Sequence, residues 1–199
     1  MTVPHTREPV RHVPGDQQDK PVAGQIAYTL RTPTVYDRAR LRRNVRAQGA
    51  RYVSTDELRA TLKAGIRKIH EQAGAPDEGA SLVAYVEEFE AITADPEDAD
   101  AYMQAIREYS DTIAEIEALV ERAYQPYYER IADLQYWREA LSLEAVRLFV
   151  TGTENLDLGP IGQRGLSDDQ LTLIPSGHLE ELSARCLALM APDTETGNA

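Results

Sequence analysis

From Tyr102 to Tyr127 the apolar residues fall at alternating spacings of four and three: Tyr102, Ile106, Tyr109, Ile113, Ile116, Val120, Ala123 and Tyr127. A side-chain stripe with this 3.5-residue period, held for about three and a half heptads, requires a long helix packed lengthwise against other helices. Pro126 lacks the amide hydrogen that a helix interior uses, so it breaks or kinks the helix. Beyond it "YYERIADLQYWREALSLEAVRLFV" resumes a helical period through Ile131, Leu134, Trp137, Leu141 and Leu148. The spacing predicts an antiparallel helical hairpin over 97–151, with a kinked rod as the other arrangement.

The neighbouring segments carry weaker versions of the same period. Thr34 with Asp37 reads as the N-cap and acidic first turn of a helix over about Val35 to Gln48, closed by Gly49. Ser54 and Glu57 stand at capping-box spacing before Leu58, Leu62, Ile66 and Ile69, and a shorter acidic helix is expected around Leu82 to Ile92, before the break at "ADPED". Ser167 and Gln170 form a second capping box, and Leu179, Leu182, Cys186 and Leu189 mark a last helix, on which Cys186 reads as a small buried apolar residue. Only "QIAYTLRT", about Gln25 to Thr32, alternates with period two, so one short N-terminal β-strand is expected.

These readings define a mainly α fold: a helical body with a long heptad-patterned helix or helical hairpin, one short N-terminal β-strand, and disordered N- and C-terminal tails. The disordered lead is 1–21, where Pro4, Pro9, Pro14 and Pro21 punctuate a polar stretch. A single helical domain is expected over 22–192, in parts 22–53 (strand plus arginine-rich helix), 54–93 (two helices), 97–151, and 166–190 (two short helices), followed by a flexible tail at 193–199.

Charge is distributed unevenly. Residues 1–70 hold 14 Lys plus Arg against 6 Asp plus Glu, whereas 71–199 hold 7 against 27, within a total of −12. Seven arginines lie between Tyr28 and Tyr52. On the predicted arginine helix Leu41 and Val45 form a narrow apolar stripe, while Arg38, Arg40, Arg42, Arg43 and Arg46 fill most of the remaining circumference and are free for a partner. A second candidate partner-binding group is the aromatic cluster Tyr124, Tyr127, Tyr128, Tyr136 and Trp137 around Pro126, for which core packing is the competing reading. The acidic remainder repels phosphate and no aromatic is interleaved between Arg38 and Arg51, which argues against nucleic acid.

Catalytic patterns are not found. His5, His12, His70 and His178 lack metal-ligand spacing, and the glycines at 152, 159, 162 and 165 match neither a phosphate loop nor a dinucleotide fingerprint. His178, beside Glu180 and Glu181, is read as a helix-start histidine on a solvated face. No run approaches the ~20 apolar residues of a membrane span, and the N-terminus lacks the apolar core of a signal peptide. A cytoplasmic, non-enzymatic protein without cofactor or metal is expected.

The order of segments, "YTLRTPTVYDR", a mostly helical middle, "VRLFVTGTENLD", "GLSDDQLTLIPSGHLEELSARCLAL" and a tail ending "ETGN", resembles the tail assembly chaperones of long-tailed bacteriophages, over about Val22 to Asn198. The resemblance implies a non-catalytic helical protein of the host cytoplasm. Such a protein coats the tape-measure protein while the tail tube polymerises, and is absent from the finished particle. The implied partners are the tape-measure protein and the tail tube protein, together with self-association. The family supplies no catalytic or specific binding residues to assign, and many members are also made as a longer frameshifted fusion. The alternatives are another phage structural or connector protein, or a nucleic-acid-binding regulator using Arg38 to Arg51.

Overall fold

The structure is a computed structural model and describes residues 8–94 and 99–190. The expected tail at 193–199, the first seven residues of the lead and most of the "ADPED" break lie outside the described residues. The fold is mainly helical with a small sheet, as the periodicity requires. Where one domain is expected, the chain divides into two compact units: 1–50 with 137–199, and 51–136.

The contiguous unit is a helical bundle. It contains α2 (Thr55–Gln72), α3 (Pro76–Ala94), α4 (Ala99–Ala123) and the first half of α5 (Gln125–Phe149). Ser54 caps α2 by accepting from the Glu57 amide at 3.1 Å, while the Glu57 carboxylate turns to Arg51 and Arg130 instead of completing the box. The seam of α4 is real: Ile113, Ile116 and Val120 are buried with Leu62, Ile66, Val83, Val86 and Tyr127.

The lengthwise partners differ from those of the expected hairpin: among the described residues the seam of α4 is filled by α2 and α3, joined by Tyr127 from the first half of α5. A heptad stripe states that a helix needs a lengthwise partner but not which one, and α2 and α3 each offer a complementary stripe. Gly65 sets the approach of α2 to α4, since a Cβ there would lie 2.4 Å from Val120 Cγ1. At the end of the seam Ala123 is exposed, and Tyr124 packs on the cluster in its place. Pro126 sits at the second position of α5, where its missing amide hydrogen costs nothing, and Tyr124 alone separates α4 from α5.

The discontinuous unit holds a three-stranded antiparallel sheet in the order β1-β2-β3: β1 is Val10–His12, β2 Ala27–Leu30 and β3 Val150–Glu154. With them are α1 (Val35–Ala47), the second half of α5, α6 (Asp168–Thr172) and α7 (Ser176–Ala188). Tyr28, Leu30, Leu41, Val45, Val146, Phe149, Leu166, Leu182 and Cys186 form its core.

Two expectations change here. The single strand is the centre of three: β3 begins inside the stretch over 97–151 expected to be helical, although Val150, Thr151 and Thr153 are β-branched. The disordered lead is corrected over 8–21, which forms β1 and a 3-10 turn at Gly15–Gln17. This segment is fixed by polar contacts more than by apolar ones, which is why its composition reads as disorder. Gln17 is buried, and Gln25 Nε2 donates to Lys20 O at 2.9 Å. Asn155, at φ 56°, donates to Gln25 O at 2.7 Å.

Candidate partner-binding surface

α1 is built as its sequence prescribes and docked more firmly than its apolar stripe suggests. The Asp37 amide donates to Thr34 Oγ1 at 3.2 Å, and the Thr34 amide donates back to Asp37 Oδ2 at 2.9 Å. Arg31 Nη2 donates to Asp37 Oδ1 at 2.8 Å. Burial pushes the Asp37 carboxyl upward, but the Thr34 hydrogen bonds and the Arg31 charge outweigh it and hold the group below the usual aspartate range.

Leu41 and Val45 are buried in the core, as expected. A further anchor is polar: the Glu144 carboxylate, 3% exposed, accepts from Asn44 Nδ2 at 2.6 Å and Gln48 Nε2 at 3.3 Å, and lies 3.0 Å from Arg147 Nε. Sequence reasoning missed Glu144, because a glutamate between Leu143 and Ala145 carries no signal of a partner about a hundred residues away.

With Asn44 and Gln48 satisfying Glu144, the arginines of α1 are left over. Arg42, Arg43 and Arg46 are exposed and Arg38 and Arg40 half-buried, and none of the five makes an ion pair or side-chain hydrogen bond among the described residues. The Nε of Arg38 is buried with no hydrogen-bond partner among them. Beside these cations, at the start of the same helix, Val35 is 78% and Tyr36 87% exposed. The alternation that ends at Pro33 hid this pair, which belongs to the first turn of α1. Arginine and tyrosine together are the residues that protein interfaces concentrate.

The aromatic group around Pro126 does not form one surface. Tyr124 and Tyr127 join the core of the contiguous unit and Trp137 packs on that of the other, whereas Tyr128 and Tyr136 are about half exposed on α5. Burial is the main reason that the Tyr127 hydroxyl titrates far above an ordinary tyrosine, with Glu117 and Glu121 adding to the effect.

His178 is corrected as well. It is 4% exposed, with Nδ1 2.8 Å from the Tyr28 hydroxyl and Nε2 2.9 Å from Asp16 Oδ1. With the proton on Nε2 directed to Asp16, Tyr28 donates to Nδ1 and every polar atom of the ring is used. Tyr28 is fully buried, and desolvation, with help from Asp16, pushes its hydroxyl up to about 12. These groups hold one another and tie the N-terminal segment to α7. Glu181 on α7 adds to the tie, accepting from the Gly15 amide at 2.9 Å.

This tie has an acid-sensitive side. Desolvation is the main cause that lowers His12 from 6.5, ahead of the opposing Glu181, and Arg185 and His178 add to the lowering. Asp16 is raised by desolvation, but hydrogen bonds from Gln17 and His178 leave it below 3.8. Both folded values are depressed, so both contributions are complete above the unfolded values and are lost as pH falls. Protection of the Val10–His12 and Gly15–Gln17 amides from hydrogen exchange, corrected for the intrinsic rate, should fall between pH 7.5 and 5 as His12 charges, and fall again below pH 4. Equal protection across that range would show that His12 and Asp16 do not hold the segment.

Cys186 is fully buried, and burial pushes its thiol up to about 12, so it packs as a neutral apolar group, as read. Among the described residues no group of three or more His, Cys, Asp or Glu is placed to hold a metal ion, and no helix is long and apolar enough to cross a membrane. No protein-family model, curated protein or solved structure matches the chain.

Proposed function

We propose that the protein is an assembly factor that binds another protein, of the tail assembly chaperone type. It keeps a long helical tape-measure protein soluble in the host cytoplasm while the tail tube forms, and takes no part in chemistry. The observation that carries this reading is the surface of α1, where five arginines without a partner among the described residues adjoin exposed Val35 and Tyr36.

A guanidinium that serves no core and no internal ion pair is available to the carboxylates of a partner. The adjacent apolar pair adds surface that gains from burial, which a purely electrostatic phosphate contact does not need. The net charge also supports a protein partner: residues 51–136 hold 8 Lys plus Arg against 19 Asp plus Glu, for −11, and a chain with that field is repelled by a polyanion.

Replacing Arg38, Arg42, Arg43 and Arg46 with glutamine together should leave the melting temperature within a few degrees, because none of them pairs internally among the described residues. On co-expression with the tape-measure protein of the same genome, the variant should retain at least tenfold less soluble complex. An unchanged complex, with wild-type DNA affinity that the variant loses and that falls steeply with salt, would replace this reading with a nucleic-acid-binding one.

A further inference from the structure

Arg40 also borders a cavity of about 300 Å³, lined with it by Arg31, Leu148, Val150, Thr151 and the stretch Ile161, Gly162, Gln163 and Gly165. Its two cations differ in kind. Arg31 is fixed: Nε donates to Leu148 O at 2.8 Å, Nη2 to Asp37 at 2.8 Å, and the guanidinium lies 5.5 Å from the centroid of Phe149. Its Nη1 has no hydrogen-bond partner among the described residues. Arg40, on α1, also lines the cavity and has no partner among them at all. Its half-buried guanidinium therefore adds a net positive charge to a cavity that Thr151, Ile161, Gly162 and Gln163 also line, together with the buried Leu148 and Val150.

We infer that this cavity takes a carboxylate on an aliphatic stem, the side chain of a glutamate in an acidic segment of the protein partner. Asp37 offsets one of the two guanidiniums, so a single negative charge balances the site and a dianion overfills it. Arg40 and the Nη1 of Arg31, neither engaged by a described residue, both line the cavity and can each donate to one carboxylate. The partly exposed Ile161 suits methylene groups.

The volume lies at the small end of pockets that enclose a free ligand, roughly 300–1,000 Å³. A chain leaving it meets more of the same surface, because Tyr36 and Arg43 stand four residues before and three after Arg40, on one side of α1, and both are exposed. That continuity favours a polypeptide over a small organic acid. The inference rests on the docking reading above and assigns it one specific pocket.

The test uses the full chain, labelled with nitrogen-15, and three probes: a capped peptide of alternating leucine and glutamate, the same peptide with glutamine, and inorganic phosphate. The glutamate peptide should shift the amides of Thr151, Gly162 and Gln163 as well as those of α1, and the glutamine peptide should bind at least tenfold more weakly. Arg40→Gln should lose at least tenfold in affinity with an unchanged melting temperature, and Arg40→Lys should recover part of it. Shifts confined to α1 would overturn the cavity assignment and leave the docking face standing. Equal binding of the two peptides, or displacement of the glutamate peptide by equimolar phosphate, would overturn the carboxylate specificity, whereas the co-expression result judges the docking reading separately.

Discussion

Val120→Asp should collapse the helical bundle of 51–136. Val120 is 0% exposed in the seam of α4 and packs where Gly65 lets α2 come close, so the carboxylate would have neither water nor a cation. Burying an unpaired charge costs several kcal/mol even when the group escapes by taking up a proton, and the lost packing adds to it; more than about 4 kcal/mol is expected. The helical circular dichroism should melt at least ~10 °C lower. Glu115→Gln, on the exposed side of the same helix, should move the transition by no more than ~2 °C. Trp137, the single tryptophan, packs in the other unit, so its fluorescence reads that unit while circular dichroism follows the whole. A Val120→Asp protein that melts like the wild type would show that α4 does not face α2 through this residue.

Gly165→Ala should be nearly as damaging for an unrelated reason. Gly165 has φ +92°, and a Cβ built on it would stand 2.0 Å from the carbonyl oxygen of Arg147. Backbone meets backbone there, so no side chain can swing aside. The adjoining bonds depend on the same fit: the Leu166 amide donates to Arg147 O at 3.0 Å, and Arg147 Nη1 donates to Leu166 O at 3.1 Å. Arg147 also holds Glu144 and Asp168.

A loss of more than about 3 kcal/mol is expected, the sum of an unfavourable left-handed backbone and the displaced loop. Gly159→Ala separates the two causes. It has φ +69° with nothing within 4 Å of the added methyl, so it should cost only about 1 kcal/mol. Equal losses in the two variants, measured by urea unfolding, would mean that the Arg147 carbonyl plays no part. The loop that Gly165 anchors also carries Ile161 and Gly162, so Gly165→Ala should remove the glutamate-peptide response as well.

Local chemistry made the helices legible. Thr34 with Asp37 and Ser167 with Gln170 placed two helix starts within a residue, and both boxes are formed in full. The α4 stripe identified which of its faces is buried. Pairings between distant segments stayed hidden. The choice of α2 and α3 as lengthwise partners of α4, the strand at Val10–His12 and the burial of His178 depend on partners tens to more than a hundred residues away, and no local period encodes them. The candidate surface was legible in part: the arginines of α1 have no partner among the described residues, but the projection gave no role to the exposed Val35 and Tyr36 at its start. The cavity beside Arg40 is assembled from four separate stretches of chain and could not be read from any one of them.

The division of the chain bears on its synthesis. Residues 51–136 are contiguous, so their bundle can close once the first turns of α5 have left the ribosome. The other unit is split, with its first 50 residues made long before their partners. β2 must wait for β3, and Asp16 for His178, which follows it by 162 residues. Until then the alternating face of β2 and the arginines of α1 are present on the nascent chain without the core that orders them. Slow translation through 137–190 would lengthen that interval, and it is the stretch of the message where codon choice should matter most to yield.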